Sequence, residues 1–304
     1  MRKILITGGA GFIGYHLAKR LLDSGGDVEL TLVDNLGRGK LDGDFQNLIR
    51  DKRVKFLMLD LADIAPYSEL GKGYDHVYHL AAVNGTGAFY EMPHEVLRVN
   101  TLSLVYMLEW FRRENAGGKF CFTSSNEAYA GGLNAFGKVP IPTPENVPLV
   151  IEDSYNPRWS YAASKLVGES FVIHYAKTYN FRALIVRPHN FYGPRAGYDH
   201  VIPAFSIRIA KRVNPFPIYG AEDRRSFCYI DDGVRAMQML MDSQRTDGQP
   251  IETVHIGDFE EIAIMELAEK MFRVAGWRPE ELDIKPPPRG SVKGAWLMWL
   301  NCKV

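Results

Sequence analysis

Cysteine is scarce in this chain of 304 residues. Its three thiols, Cys121, Cys228 and Cys302, are scattered and odd in number, which excludes a disulfide framework and offers no zinc-type spacing. Excess charge is missing too. Thirty-six Lys and Arg balance 36 Asp and Glu without a basic stripe, so no nucleic-acid partner is expected. No apolar run approaches a membrane span, Ala295 to Cys302 being far too short, and no membrane partner is expected. Residues 1–6 already read as a core strand, so the expectation is a cytoplasmic chain without a signal peptide. Repeats and low-complexity stretches are absent, and the length suffices for a large core in one or two domains.

What is present is rhythm. Strand-like runs at 3–7, 28–33, 54–58, 76–80, 119–123 and 182–187 alternate with helical patterns at about 12–24, 94–115 and 159–179. Such alternation predicts an α/β fold with a Rossmann-type, doubly wound parallel sheet. Two regions break it. Residues 130–158 are irregular and carry Pro140, Pro142, Pro144, Pro148 and Pro157, the pattern of a functional loop or lid. After about Phe191 prolines return, and helices are expected near 200–212, 231–242 and 262–275. The expected division is 1–190 for a dinucleotide-binding domain and 191–304 for a smaller C-terminal substrate-binding region, interleaved with the first.

The first strand runs into Thr7-Gly-Gly-Ala-Gly-Phe-Ile-Gly14, and an amphipathic helix follows at once with Ile13, Leu17, Leu21 and Leu22 on one face. Gly9, Gly11 and Gly14 have the G-x-G-x-x-G spacing, which gives a tight turn, close approach to a pyrophosphate, and close helix–strand packing. The anion would sit at the helix N-terminus. The second strand ends in Asp34, twenty positions after Gly14, where a carboxylate can bind a ribose diol and repel a 2′-phosphate. NAD is therefore expected over NADP, a preference that Arg38 in the same loop weakens slightly.

Tyr161-Ala-Ala-Ser-Lys165 sits early in a helix, and i, i+4 spacing puts Tyr161 and Lys165 on one face. A phenol titrates at about 10, too high for a base at neutral pH, and a neighbouring ammonium is expected to lower it. Tyr161 would then remove a hydroxyl proton as hydride leaves the adjacent carbon. The strand 119–123 ends in Thr123-Ser124-Ser125-Asn126-Glu127, and catalytic groups of doubly wound folds collect at such carboxyl ends of strands. A serine there can donate to the oxygen that Tyr161 deprotonates.

With these pieces the chain resembles an extended short-chain dehydrogenase/reductase of the NAD-dependent nucleotide-sugar epimerase/dehydratase group. The motifs occur in the family's order: the glycine turn, Asp34-Asn35, Asp60-Leu61, His79-Leu80-Ala81-Ala82, Asn100, Ser124-Ser125, Tyr161 and Lys165, Arg187-Pro188, Asn190, Tyr192-Gly193-Pro194, and Arg225 to Asp231. They cover roughly residues 1–292. The resemblance implies that Gly8, Gly11, Phe12 and Ile13 line the pyrophosphate, Asp34 and Asn35 hold the adenosine side, and Asp60 and Leu61 flank the adenine. It implies that Leu80, Ala81, Ala82 and Asn100 run beside the cofactor, and that Ser125, Tyr161 and Lys165 are catalytic. Asn190 would contact the sugar diphosphate, and Arg225 would pair with its phosphates.

The resemblance further implies a 4-keto sugar intermediate. Simple epimerases return the hydride to the other face, whereas dehydratases and decarboxylases carry an acid or Ser-Glu pair after the catalytic serine. Here Asn126 and Glu127 follow Ser125, and Asn126 cannot act as a carboxylic acid. Glu127 reads equally as a base at C5 or as a structural carboxylate. Epimerase and dehydratase readings stay open, with a net 4-dehydrogenase or a decarboxylase as alternatives. A non-catalytic NAD-binding redox sensor is the reading from another class. His189 reads as a core histidine. A homodimer is implied through the helices at 94–115 and 159–179, and Met107, Trp110, Phe111, Phe171 and Tyr175 read either as its apolar surface or simply as cover for the sheet. The apolar tail, with Trp296, Leu297, Trp299 and Leu300, departs from the family pattern and is expected to pack on the body or a partner.

Overall fold

The computed structural model describes residues 1–132, 136, 140, 143–243, 249–258 and 260–287. The tail expectation at Trp296 to Leu300 lies outside the described residues. The chain opens with β1 (Arg2–Thr7), α1 (Phe12–Asp23), β2 (Val28–Asp34), α2 (Gly43–Ile49), β3 (Val54–Met58) and β4 (His76–His79). It continues with α3 (Thr86–Glu91), α4 (Pro93–Glu114), β5 (Lys119–Thr123), α5 (Ser160–Tyr179) and β6 (Arg182–Pro188). The remaining elements are β7 (Asn190–Tyr192), α6 (Val201–Ala210), β8 (Phe216–Tyr219), β9 (Arg224–Tyr229), α7 (Ile230–Asp242), β10 (Ile251–Ile256), β11 (Glu261–Ala263), α8 (Ile264–Ala275) and β12 (Leu282–Lys285).

Seven strands form one parallel sheet in the order β10-β6-β5-β4-β1-β2-β3. The strands read as near-continuous apolar runs because both faces are covered. Within β1, Ile4 and Ile6 join a core with Leu17, Leu21 and Val234 from α1 and α7, while Leu5 joins the opposite core with Leu104, Met107 and Val172 from α4 and α5. The order reverses between β1 and β4, which creates the crevice that receives ligands in such sheets.

The second half is interleaved with the first. Although α7 and β10 follow residue 190, α7 packs on α1 and β10 pairs with β6 at the edge of the large sheet. The remainder forms two small sheets, β11-β9-β7 and β12-β8, around a core of Phe205, Phe216, Ile218, Ile264 and Phe272. Sequence periodicity finds β5 to the residue and the long helices to within one. It misses β10 and the elements α2, α3, β7, β8, β9, β11 and β12, all of seven residues or fewer and too brief for a period to register.

The five apolar helix residues divide between the two readings. Met107, Trp110 and Phe111 are almost fully buried within this single chain and cover the sheet rather than offering surface. Phe171 and Tyr175 are half-buried, and Leu97, Val167 and Tyr179 on the same two helices are exposed.

Candidate active site

The glycine turn is built as the spacing requires. Gly8 has φ +68°, a left-handed conformation that favours glycine. A Cβ at Gly14 would stand 2.2 Å from the Gly8 carbonyl oxygen and 2.9 Å from Gly9 Cα. The Gly11 N–H donates to the Gly8 carbonyl at 3.1 Å, and Gly11 is the N-cap of α1. Phe12 and Ile13 open that helix, so its first N–H groups face the crevice end of the sheet. Thr7 adds an anchor that the sequence reading passed over. Its hydroxyl accepts from the Leu80 and Ala81 N–H groups at 3.1 and 3.0 Å, fixing the strand end that carries Leu80, Ala81 and Ala82 against the glycine turn.

Asp34 ends β2 beside this turn. Its carboxylate accepts from the Ala10 N–H at 3.0 Å and the Leu36 N–H at 2.8 Å. Burial pushes its carboxyl above the usual range, and the two backbone bonds pull the other way. Asn35 donates to Asp60 at 3.3 Å, and Asp60 in turn accepts from the Ala62 N–H, while Leu61 is buried. Asn100 clamps the loop after β4 from α4: its amide exchanges both hydrogen bonds with Val83 and donates to Ser164 Oγ at 3.1 Å. These residues make a cradle of glycines, helix N–H groups and one carboxylate, and NAD fits that donor set.

The chemical groups lie at the carboxyl end of β5. Ser125 caps the short turn 126–129, its hydroxyl accepting from the Glu127 N–H at 3.2 Å and donating to Asn126 at 3.3 Å. Ser125 also acts on the Tyr161 phenol from α5, favouring its ionised form. Phe89 stacks on the Tyr161 ring at 5.2 Å between centroids. One turn along α5, Lys165 Nζ donates to the Thr123 carbonyl at 2.7 Å and lies 5.4 Å from the Tyr161 ring centroid.

The electrostatics correct one expectation. Lys165 does not depress the Tyr161 phenol in this structure. Burial pushes Tyr161 upward, the Glu127 charge adds to that, and the Ser125 hydroxyl and the Arg38 charge oppose it. Burial also pulls Lys165 down to about 7, with Glu169 opposing. Both groups are driven toward their neutral forms because neither is solvated.

Glu127 is held by an arginine that sequence reasoning missed. Arg158 Nη2 lies 2.7 Å from each Glu127 oxygen, and its guanidinium sits 5.6 Å from the Phe89 ring that stacks on Tyr161. The signal was Arg158's position three residues before Tyr161 on the approach to α5. Of the residues expected at the sugar diphosphate, Asn190 opens β7 and donates to the Ser226 carbonyl at 2.8 Å. Arg225 on β9 is largely buried, pairs with Asp223 at 3.4 Å and feels the charges of Glu127 and Arg158. His189 is buried with Nε2 at 3.4 Å from the Tyr129 hydroxyl and its ring against His255.

Comparison with known proteins agrees with this geometry. The family model "NAD dependent epimerase/dehydratase family" matches residues 4–257. A UDP-N-acetyl-alpha-D-glucosaminuronate decarboxylase of Bacillus cytotoxicus is 32% identical over 277 residues, spanning 90% of this chain and 80% of that protein. The crystal structure of a Thermotoga maritima UDP-glucose 4-epimerase with UDP-glucose superposes with TM-score 0.82 at 28% identity, covering 98% of this chain and 89% of the other. That of a Thermus thermophilus UDP-glucose 4-epimerase complexed with NAD gives 0.80 at 27% identity, covering 98% and 90%. The chain belongs to the NAD-dependent epimerase/dehydratase family of enzymes.

Proposed function

We propose that the protein converts a nucleotide sugar through a transient 4-keto sugar, with Ser125, Tyr161 and Lys165 as its catalytic residues. The observation that carries this reading is the join between α5 and the carboxyl end of β5: Lys165 Nζ donates to the Thr123 carbonyl at 2.7 Å, two residues before Ser125, with Tyr161 one helical turn away on the same face. Bound NAD supplies the hydride acceptor. The Ser125 hydroxyl orients the sugar oxygen and Tyr161 receives its proton. Lys165 would hold the cofactor ribose and supply positive charge one helical turn from the phenol. Asn190 and Arg225 contact the sugar diphosphate, the guanidinium gripping phosphate in a planar fork. Asp34, Asn35, Asp60 and Leu61 hold the adenosine half.

Glu127 favours chemistry beyond plain epimerisation. Its carboxylate is fixed by Arg158 and its charge reaches the Tyr161 phenol, which suits a proton transfer at C5 once a 4-keto group has acidified that carbon. A simple epimerase has no use for a second acid–base group. This supports a dehydratase or decarboxylase reading, and the similarity to a uronate decarboxylase supports it further.

The test is a panel of nucleotide sugars, including UDP-glucose, UDP-glucuronic acid and dTDP-glucose, given to the NAD-loaded protein, with products read by mass spectrometry. Loss of water or of carbon dioxide bears out the Glu127 reading. An isomer of unchanged mass favours the epimerase. Tight NAD binding without turnover of any sugar overturns the enzymatic reading in favour of a redox sensor.

The protein is also read as a cytoplasmic homodimer. Exposed Leu97, Val167 and Tyr179 with half-buried Phe171 and Tyr175 offer a helical face on α4 and α5 for a second copy. Cys121 and Cys228 are free and buried, which suits a reducing compartment. Light scattering checks the dimer.

A further inference from the structure

Beneath the catalytic groups lies a buried ion pair that the mechanism above does not use. Glu169, one turn beyond Lys165 on α5, is 2% exposed, and Arg187 on β6 is 3% exposed. Glu169 Oε1 accepts from Arg187 Nε at 2.8 Å, and Oε2 from Arg187 Nη2 at 2.7 Å. Oε1 also accepts from the Ser124 hydroxyl at 2.5 Å. Arg187 goes on to donate to the Glu145 carbonyl at 2.9 Å and lies 3.4 Å from His255 Nε2.

We propose that Glu169 is a positioning residue: its carboxylate, held by Arg187, supplies the counter-charge for Lys165 and ties the serine turn of β5 to the catalytic helix. The reach of the carboxylate decides this. One oxygen bonds Ser124, whose neighbour is Ser125, and the side chain leaves the same helical face as Lys165, four residues on. Around Lys165, β5 contributes the Thr123 carbonyl and the Phe122 ring, and α5 contributes Tyr161 and Glu169. From β4 comes His79, which burial holds neutral, and from β6 comes Arg187, already spent on Glu169. Glu169 is thus the anionic group that opposes the desolvation of the Lys165 ammonium. A buried pair is weak grounds for stability alone, because well-packed apolar residues often do as well. Its placement between the two catalytic elements gives it a role in the chemistry.

The proposal rests on Lys165 being catalytic, but its test reads Lys165 without any substrate. Lysine labelled with 13C at Cε is followed by NMR against pH in the NAD-loaded protein, and the Lys165 resonance is assigned by its loss in Lys165→Met. Glu169→Gln should move the Lys165 midpoint down by about one pH unit or more, the size expected when an adjacent opposite charge is removed. Since Glu169→Gln strands a buried guanidinium, the double variant Glu169→Gln with Arg187→Met serves where the single one fails to fold. It removes both charges and should also titrate below wild type. Ser124→Ala keeps the carboxylate and should leave the midpoint in place. A midpoint unchanged in the folded Glu169 variants overturns the proposal, as does an equal shift in Ser124→Ala. Failure of the catalytic reading instead appears as absent turnover with the Lys165 shift intact.

Discussion

Replacing Gly14 with alanine tests the dinucleotide cradle where it is tightest. The added Cβ would lie 2.2 Å from the Gly8 carbonyl oxygen, 2.9 Å from the Gly8 carbonyl carbon and 2.9 Å from Gly9 Cα. Ordinary contact begins near 3.4 Å, so the turn must retreat by more than an ångström. All three atoms are backbone, and none can rotate away. The turn is also pinned. Gly8 accepts from Gly11 and Gly9 donates to Val33, both at 3.1 Å, so retreat breaks or stretches hydrogen bonds that shape the cradle. Overpacking of this kind costs about 1–3 kcal/mol of fold stability. The displaced N–H groups should weaken NAD binding by about 10- to 100-fold, or about 1.4–2.8 kcal/mol. Gly43→Ala is the control, since a Cβ there meets nothing within 4 Å. Thermal unfolding with and without NAD, together with calorimetric titration of NAD, reads both effects. An alanine at 14 with wild-type melting temperature and wild-type NAD affinity would refute the reasoning.

Three further outcomes follow from the same geometry. Tyr161→Phe keeps the ring stacked on Phe89 and removes the proton acceptor, so NAD binding should persist while turnover of the accepted nucleotide sugar falls about 10²- to 10⁴-fold; retained turnover contradicts the role. Arg187→Met alone leaves the Glu169 charge buried and should destabilise the fold by about 3–5 kcal/mol, while the double variant with Glu169→Gln recovers most of it, as denaturant titration will read. Burial holds His76 at about 4, and His79 and His255 at about 3. Their folded values lie below the unfolded one, so below about pH 6.5 the unfolded chain binds the extra protons, and each costs about 1.4 kcal/mol of stability per pH unit. The melting temperature should fall steadily from pH 7 to pH 5, and a flat profile would show that these histidines are solvated.

Much of this architecture was legible in the residues because its parts are local. The apolar strands, the glycine turn and Asp34 carry their meaning within a few positions, and both the parallel sheet and the cradle follow from them. The interleaving was less legible, since nothing in Ile251–Ile256 announces a return to β6. Contacts between distant segments were hidden for the same reason. Arg158 reaching Glu127, and Arg187 with Ser124 reaching Glu169, are pairings fixed by the fold rather than by spacing. The Tyr161–Lys165 spacing correctly puts both groups on one face. It says nothing of their desolvation, and desolvation reverses the expected effect on the phenol. The apolar helix residues were ambiguous likewise: Met107, Trp110 and Phe111 are apolar at helical period, which marks the core as readily as an interface.

The most direct test of the central claim follows a label. UDP-glucose, UDP-glucuronic acid and dTDP-glucose, each carrying deuterium at C4, are given to the NAD-loaded protein in ordinary water, and the product of whichever is converted is analysed by mass spectrometry. The account predicts that the deuterium remains in the product undiluted, because it leaves C4 as hydride, is stored beside Tyr161 and is returned. Product in which the label has been replaced by solvent hydrogen would contradict it.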